Sequence, residues 1–372
     1  MTQNWERKKI KDICDKGSSN IAQNKITGCT GDYPVFGASG MIQNINFYHK
    51  DTPYIGVVKD GSGVGRVNIY PAYSSLLGTL QYITPKEGYS LQYVAYALKS
   101  LNLAQFASGA AIPHIYFKEW GESEIHVPAL NVQNEIVDEL DCLSNIINNK
   151  KKQLEELDKL AQSIFYDMFG DPIANEKGWD MKKVQEACSI LGRIGFRGYT
   201  TKDLVSSPRE GAISLSPTNI TNGELNYSKC TYISWYKYEE SPEIMINEGD
   251  ILLVKTGSSY GKCALVRALP HKATINPQFV VLKNCNINNI YLTCLLQNTS
   301  AKREFDTFTI GAAIPTFSQK NLGNMNIAVP PMSLQHQFAE KIEAIEKQKE
   351  LIKKSLEEVE TLFNSRMDYY FN

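Results

Sequence analysis

No stretch of the chain comes near the roughly 18 consecutive apolar residues that a membrane-spanning helix needs. The opening segment, Met1 to Lys11, is polar and charged rather than a secretion signal, so a cytoplasmic protein is expected. Clustered metal ligands are missing too. The eight cysteines (Cys14, Cys29, Cys142, Cys188, Cys230, Cys263, Cys285 and Cys294) stand singly with no C-x-x-C pair, and the five histidines do not pair at metal-binding spacing. That excludes a tetrahedral zinc site and leaves free, buried thiols. Net charge is also lacking: 39 basic and 40 acidic residues leave −1. A case for nucleic-acid binding must therefore rest on local basic patches, which a balanced total can hide.

What the chain does have is length and repetition. Its 372 residues exceed one ordinary core and suffice for two domains, and a hydrophobic fraction of 42% is that of a globular protein. Gly109-Ala110-Ala111-Ile112-Pro113 recurs 202 positions later as Gly311-Ala312-Ala313-Ile314-Pro315. The same offset holds without a gap to the last residue, matching Gln133 to Gln335 and Lys151-Lys152-Gln153-Leu154-Glu155-Glu156 to Lys353-Lys354-Ser355-Leu356-Glu357-Glu358. Upstream the likeness weakens: Trp5-Glu6-Arg7-Lys8-Lys9 resembles Trp179-Asp180-Met181-Lys182-Lys183, and Val58-Lys59-Asp60-Gly61-Ser62 resembles Val254-Lys255-Thr256-Gly257-Ser258. Each half is a divergent globular segment followed by a better-matched tail. Divergent segments suit two different recognition tasks, and matched tails suit one shared structural task.

The tails carry a heptad seam. In the first, Ile136, Leu140, Leu143, Ile147, Leu154 and Leu157 lead on to Ala161, Ile164 and Met168, with Lys150 interrupting; in the second, Ile342, Ile345, Ile352, Leu356 and Val359 follow Phe338, with Lys349 interrupting. Neither helix has a wide apolar face, so each is expected to pair with the other. The two lysines either fix the alignment of the seam or reach out to solvent. Pro128 and Pro330-Pro331 precede the helices, Asn131 and Ser333 are the expected N-caps, and Gly170-Asp171-Pro172 stops the first. Helices of about 36 residues span ~54 Å, the length of ~16 base pairs. An antiparallel pair would put one globular domain at each end and bring Asn372 near Met1. Helices that serve only to dimerise the chain are the alternative.

Residues 1–130 and 171–330 contain short apolar runs between glycine and asparagine turns, among them Tyr54-Ile55-Gly56-Val57-Val58, Ile251-Leu252-Leu253-Val254 and Phe279-Val280-Val281-Leu282, which predict strands. Helices are predicted over Ser90–Phe106 and Ile290–Asp306. The architecture expected is mixed α/β (α+β): two recognition domains separated by an antiparallel two-helix coiled coil, as a pseudo-twofold internal repeat. Two glycine-rich turns ending in a cation, Gly61 to Arg66 and Gly257 to Lys262, either approach phosphates or simply close hairpins. The run Arg193 to Tyr199 is either a contact segment or an ordinary loop. The Gly257–Cys263 segment is one residue short of a P-loop and has cysteine where the metal-binding hydroxyl belongs. Asn276-Pro277-Gln278-Phe279 lacks the second proline of an amino-methyltransferase signature. No catalytic residue is expected.

The G-A-A-I-P segments, the proline-to-glutamine helix entries (Pro128 to Gln133, Pro330 to Gln335), Gly249-Asp250-Ile251-Leu252 with Lys255-Thr256-Gly257, and Tyr33 to Gly40 together resemble the specificity subunits of Type I restriction-modification systems over the whole chain. One departure is that the usual glutamate before the entry glutamine is Val132 and Leu334. The resemblance implies a target-recognition domain at 1–130, a long helix at 131–170, a second recognition domain at 171–330 and a second helix at 331–372. It further implies double-stranded DNA as ligand, two modification (methyltransferase) subunits and ATP-dependent restriction subunits as partners, and no cofactor on this chain, with S-adenosylmethionine, ATP and Mg²⁺ held by those partners. The DNA contacts expected are Lys59, Ser62, Arg66 and His114 in the first domain, and Arg193, Arg197, Lys255, Ser258, Tyr260, Lys262 and Thr316 in the second. The specificity subunit of a Type IIB-like enzyme, or an adaptor that binds only protein, would share much of this pattern.

Overall fold

A computed structural model describes residues 5–109, 112–311 and 313–372. The chain forms two compact units, residues 1–152 with 352–372 and residues 153–351. The first long helix, Leu130–Phe169, and the second, Met332–Phe371, each contribute to both.

In the first unit the central strand Tyr54–Val58 is buried at every residue, as its unbroken apolar run requires. It pairs antiparallel with Val67–Tyr70 on one side and Leu80–Pro85 on the other, and Cys14–Ser18 lies beyond. Alternation along the strand divides two cores. Ile55 and Val57 face the helix Leu91–Ser100 and the long-helix residues Ile136 and Leu140. Tyr54 and Val58 face Val35, Ile45 and Leu76 of a second, three-stranded sheet. The second unit repeats the plan. Its sheet runs Ser189–Leu191, Phe279–Lys283, Ile251–Val254, Cys263–Leu265, again antiparallel. Ile251 and Leu253 face the helix Asn289–Gln297, whereas Leu252 and Val254 face Ile213, Leu215 and Ile275 of a second sheet. The short ribbons pairing Glu6–Lys9 with Glu124–Val127 and Asp180–Lys183 with Asn326–Val329 also match, residue for residue.

Within each unit the two long helices run antiparallel. In the first, Glu139 meets Arg366 and Lys151 meets Glu360 at 2.7 Å; in the second, Asp158 meets Lys349 at 2.8 Å and Phe165 packs on Phe338. Every seam position predicted from the heptads is buried or half-buried. Lys349 turns inward rather than out: its ammonium lies among the carboxylates of Asp158, Glu346 and Glu224. Burial opposes its charge, but those three acids outweigh the penalty and hold its pKa above the usual lysine value. The Arg366 guanidinium likewise holds Glu139 below the ordinary carboxylate range.

The helix starts differ from expectation. The helices begin at Leu130 and Met332, so Asn131 and Ser333 lie inside the first turn and are not caps. The residue that anchors each entry is the glutamine. Gln133, 1% exposed, donates from Nε2 to the Pro128 carbonyl and accepts at Oε1 from the Ser90 backbone N–H, both at 2.9 Å. Gln335, also 1% exposed, donates to Pro330 at 2.7 Å and accepts from Asn288 at 2.8 Å. Ser90 and Asn288 are themselves the N-caps of the shorter helices. Gly170 stops the first long helix as predicted, with φ +72° and its N–H on the Tyr166 carbonyl. The expected approach of Asn372 to Met1 falls on a residue outside the described ones; within the first unit, Trp5 stacks on Tyr370 with ring centroids 6.2 Å apart.

Replacing Gln133 with leucine strands the buried Pro128 carbonyl, at a cost of about 1–3 kcal/mol, and the part-buried Ser90 N–H, at less. The urea midpoint of the full chain should fall accordingly, and an unchanged midpoint would count against the clip.

Candidate nucleic-acid interface

The two glycine-rich turns are the connections between the central strand and its neighbour: residues 59–66 join Tyr54–Val58 to Val67–Tyr70, and residues 255–262 join Ile251–Val254 to Cys263–Leu265. They close with equivalent backbone bonds. Gly65 N–H reaches the Val58 carbonyl and Gly261 N–H the Val254 carbonyl, both at 2.8 Å; Val64 bonds Gly61 and Tyr260 bonds Gly257, both at 3.0 Å; Arg66 bonds Gly63 and Lys262 bonds Ser259, both at 3.1 Å.

A second loop docks on each turn. In the first unit the Gly61 N–H donates to the Pro113 carbonyl and the Ile115 N–H to the Lys59 carbonyl, both at 2.9 Å, while Ser108 and His114 exchange two backbone bonds. In the second unit Gly257 donates to Pro315 at 2.9 Å and Phe317 to Lys255 at 3.1 Å, while Ile310 and Thr316 exchange the same pair. The structure therefore gathers nine of the predicted residues into two equivalent platforms: Lys59, Ser62, Arg66 and His114 on one, and Lys255, Ser258, Tyr260, Lys262 and Thr316 on the other.

Their side chains differ in what they can offer. Ser62, Arg66, Ser258 and Lys262 are exposed; Lys59, His114, Lys255, Tyr260 and Thr316 are half-buried. The Arg66 Nε donates to the Gly63 carbonyl at 3.3 Å, which folds the guanidinium over its own turn. Burial pushes the Lys255 pKa below the usual lysine value. Thr316 Oγ1 lies 2.8 Å from Thr256 Oγ1, and the Tyr260 hydroxyl donates to Asp306. Gly257-Ser258-Ser259-Tyr260-Gly261 spells the G-x-S-x-G of a hydrolase elbow, yet it joins two strands rather than a strand to a helix, which is not the geometry that exposes a nucleophile. Among the described residues no three His, Cys, Asp or Glu side chains are placed to hold a metal, and no helix is long and apolar enough to cross a membrane.

Arg193 and Arg197 lie on the loop around Gly195–Arg197, which is neither the turn nor the docked loop of a platform. Arg193 is 8% exposed; its guanidinium donates to the Ile275 carbonyl and to Thr274 Oγ1 at 3.2 Å and sits 5.2 Å from the centre of the Tyr199 ring. It ties the loop to the strand Ala273–Ile275, and its donors point into the fold. Arg197 pairs with Glu243 at 3.3 Å. Two features escaped the sequence reading. Ile112 and Ile314, the isoleucines of the two G-A-A-I-P segments, are each 65% exposed. Met41, Phe47, Tyr48 and Tyr73 of the first unit are also exposed, with Tyr48 edge-on to Tyr73 at 5.2 Å. Residue type alone suggests burial for all of them.

A family model described as the Type I restriction modification DNA specificity domain matches residues 2–159 and 176–361. The chain is 22% identical to the Type I restriction enzyme MjaIX specificity subunit of Methanocaldococcus jannaschii, over 90% of this chain and 85% of that one. It is 23% identical to the MjaVIII specificity subunit of the same organism, over 72% of this chain and 66% of that one, just under two thirds of its length. A crystal structure of the S subunit of a Type I restriction-modification system from M. genitalium is similar in fold, with a TM-score of 0.63 at 16% identity over 99% of this chain and 96% of that one.

The contrast between buried and exposed cations is directly measurable. Arg193→Ala removes charged hydrogen bonds worth about 1.5–3 kcal/mol and should lower the melting temperature, whereas Lys262→Ala should leave it unchanged. Equal melting temperatures for both variants would contradict the assignment of Arg193 to the fold.

Proposed function

The chain belongs to the Type I restriction-modification DNA specificity family, and on that premise we propose that it is the non-catalytic, sequence-specific DNA-binding subunit of a Type I complex. Each globular region reads one half of a bipartite site. The paired helices set the length of the unread spacer and dock two methyltransferase subunits. Those partners hold S-adenosylmethionine and methylate adenine, and restriction subunits driven by ATP with Mg²⁺ join them. Lys59, Ser62, Arg66 and His114 make contacts to one half-site, and Lys255, Ser258, Tyr260, Lys262 and Thr316 to the other, with Arg197 at the edge of the second.

One observation carries this reading: the same hairpin-and-loop platform occurs in both units, bonded through equivalent backbone groups, with different side chains mounted on it. Asp60 is matched by Thr256, Val64 by Tyr260, Arg66 by Lys262 and His114 by Thr316. A constant scaffold with exchanged side chains is what two readers of unlike sequences need, because cations fix position on phosphates while side chains at base edges specify. Docking of two copies of one partner is supported by apolar side chains exposed at matching points of the two helices, Leu160 with Leu362 and Leu130 with Met332.

Methylation mapping tests the reading. Cells expressing this chain beside a modification subunit should show one bipartite adenine motif that disappears when the gene is removed. A methylome indifferent to the gene would favour a protein-only adaptor.

A further inference from the structure

Isoleucine is among the residues most often buried, and the two G-A-A-I-P segments hold one outside in each unit. Ile112 and Ile314 have the same fractional exposure, and a common device produces it. Gly109 and Gly311 adopt φ of +97° and +94°, which favours glycine. A Cβ on either would stand 2.6 Å from the carbonyl oxygen of Ile112 or Ile314. A side chain at either glycine would thus collide with the isoleucine's backbone, and the following proline carbonyl is fastened to the basic turn through Gly61 or Gly257. These bonds set each isoleucine beside the segment that carries Lys59 and Arg66, or Lys255 and Lys262.

We propose that Ile112 and Ile314 are apolar DNA contacts, one per half-site, that press against base edges or a base step in the groove while the neighbouring cations engage phosphates. The proposal rests on the reading of the two platforms as DNA-binding surfaces. Its chemistry is distinct from that of the cations. An apolar wedge against bases gains from leaving water and displaces no counterions, so its contribution is insensitive to salt, whereas each phosphate contact steepens the salt dependence by about one unit.

The full-length chain would be titrated, at several salt concentrations, onto a duplex carrying the methylated motif mapped for it. Ile112→Ala and Ile314→Ala should each weaken binding about tenfold with the salt slope unchanged, and Ile112→Met and Ile314→Met should restore most of the loss. Lys262→Ala should flatten the slope. The side chains are exposed, so equal melting temperatures serve as the check on folding. Wild-type affinity in both alanine variants overturns the isoleucine proposal and leaves the family reading intact. Loss of co-purification with the modification subunit at unaltered DNA affinity also overturns it, since the loops would then be protein contacts. Failure of the wild-type chain to bind the duplex overturns the reading of the platforms together with it.

Discussion

Burial of the seam between the two long helices is the constraint on which the rest of the structure depends. Each helix carries only a narrow apolar stripe, and each unit completes its core with a portion of both helices. In the first unit, Ile136 and Leu140 share a cluster with Tyr370 and Phe371 from the end of the chain. In the second, Phe165 and Phe169 pack with Phe338, Ile342 and Ile345. Neither core is finished by residues contiguous in sequence. Polar groups reinforce the pairing at defined points: the Arg366–Glu139 pair in the first unit, and Lys349 among three acids in the second. A shift of the helices would take the buried ammonium away from Asp158 and leave it with Glu346 of its own helix, so the cross-helix pair favours the observed alignment.

Above that base, the two hairpin-and-loop platforms are held almost wholly by main-chain hydrogen bonds. Backbone bonds do not depend on which side chain is mounted, so a turn and its docked loop can be kept while Arg66 is exchanged for Lys262 or His114 for Thr316. The glutamine clips follow the same logic at the helix entries: Gln133 and Gln335 join the start of a long helix to the start of the shorter one through main-chain partners only. The main-chain scaffold and the side chains mounted on it are therefore separable within each unit, which is what the proposed reading of two DNA segments with one fold requires.

Much of this was legible in the residues. The repeat, the heptads and the buried strands at 54–58 and 251–254 follow from local pattern and are present, whereas the helical stretches expected at 90–106 and 290–306 are each broken: Leu91–Ser100 gives way at the left-handed Asn102 to a 3-10 turn, Leu103–Phe106, and Asn298 separates Asn289–Gln297 from Thr299–Phe308. What was not legible depends on partners distant in sequence. Arg193 reads as a loop cation, and only the strand at Ala273–Ile275 reveals that its donors are taken up inside. The caps at Asn131 and Ser333 fitted the local rules but lost to glutamines that bond Ser90 and Asn288, over 40 residues upstream. The union of the 59–66 turn with the 108–114 loop is likewise a long-range pairing with no periodic signature. Ile112 and Ile314 were visible as a repeated motif, but an apolar residue announces burial, and the fold holds both outside.

Under the proposed function, one globular region reads one half-site. The most direct measurement exchanges residues 171–330 for the matching region of another family member and maps methylation by the resulting complex. One half of the bipartite motif should change while the other half stays as it was. Alteration of both halves, or of neither, would contradict the account.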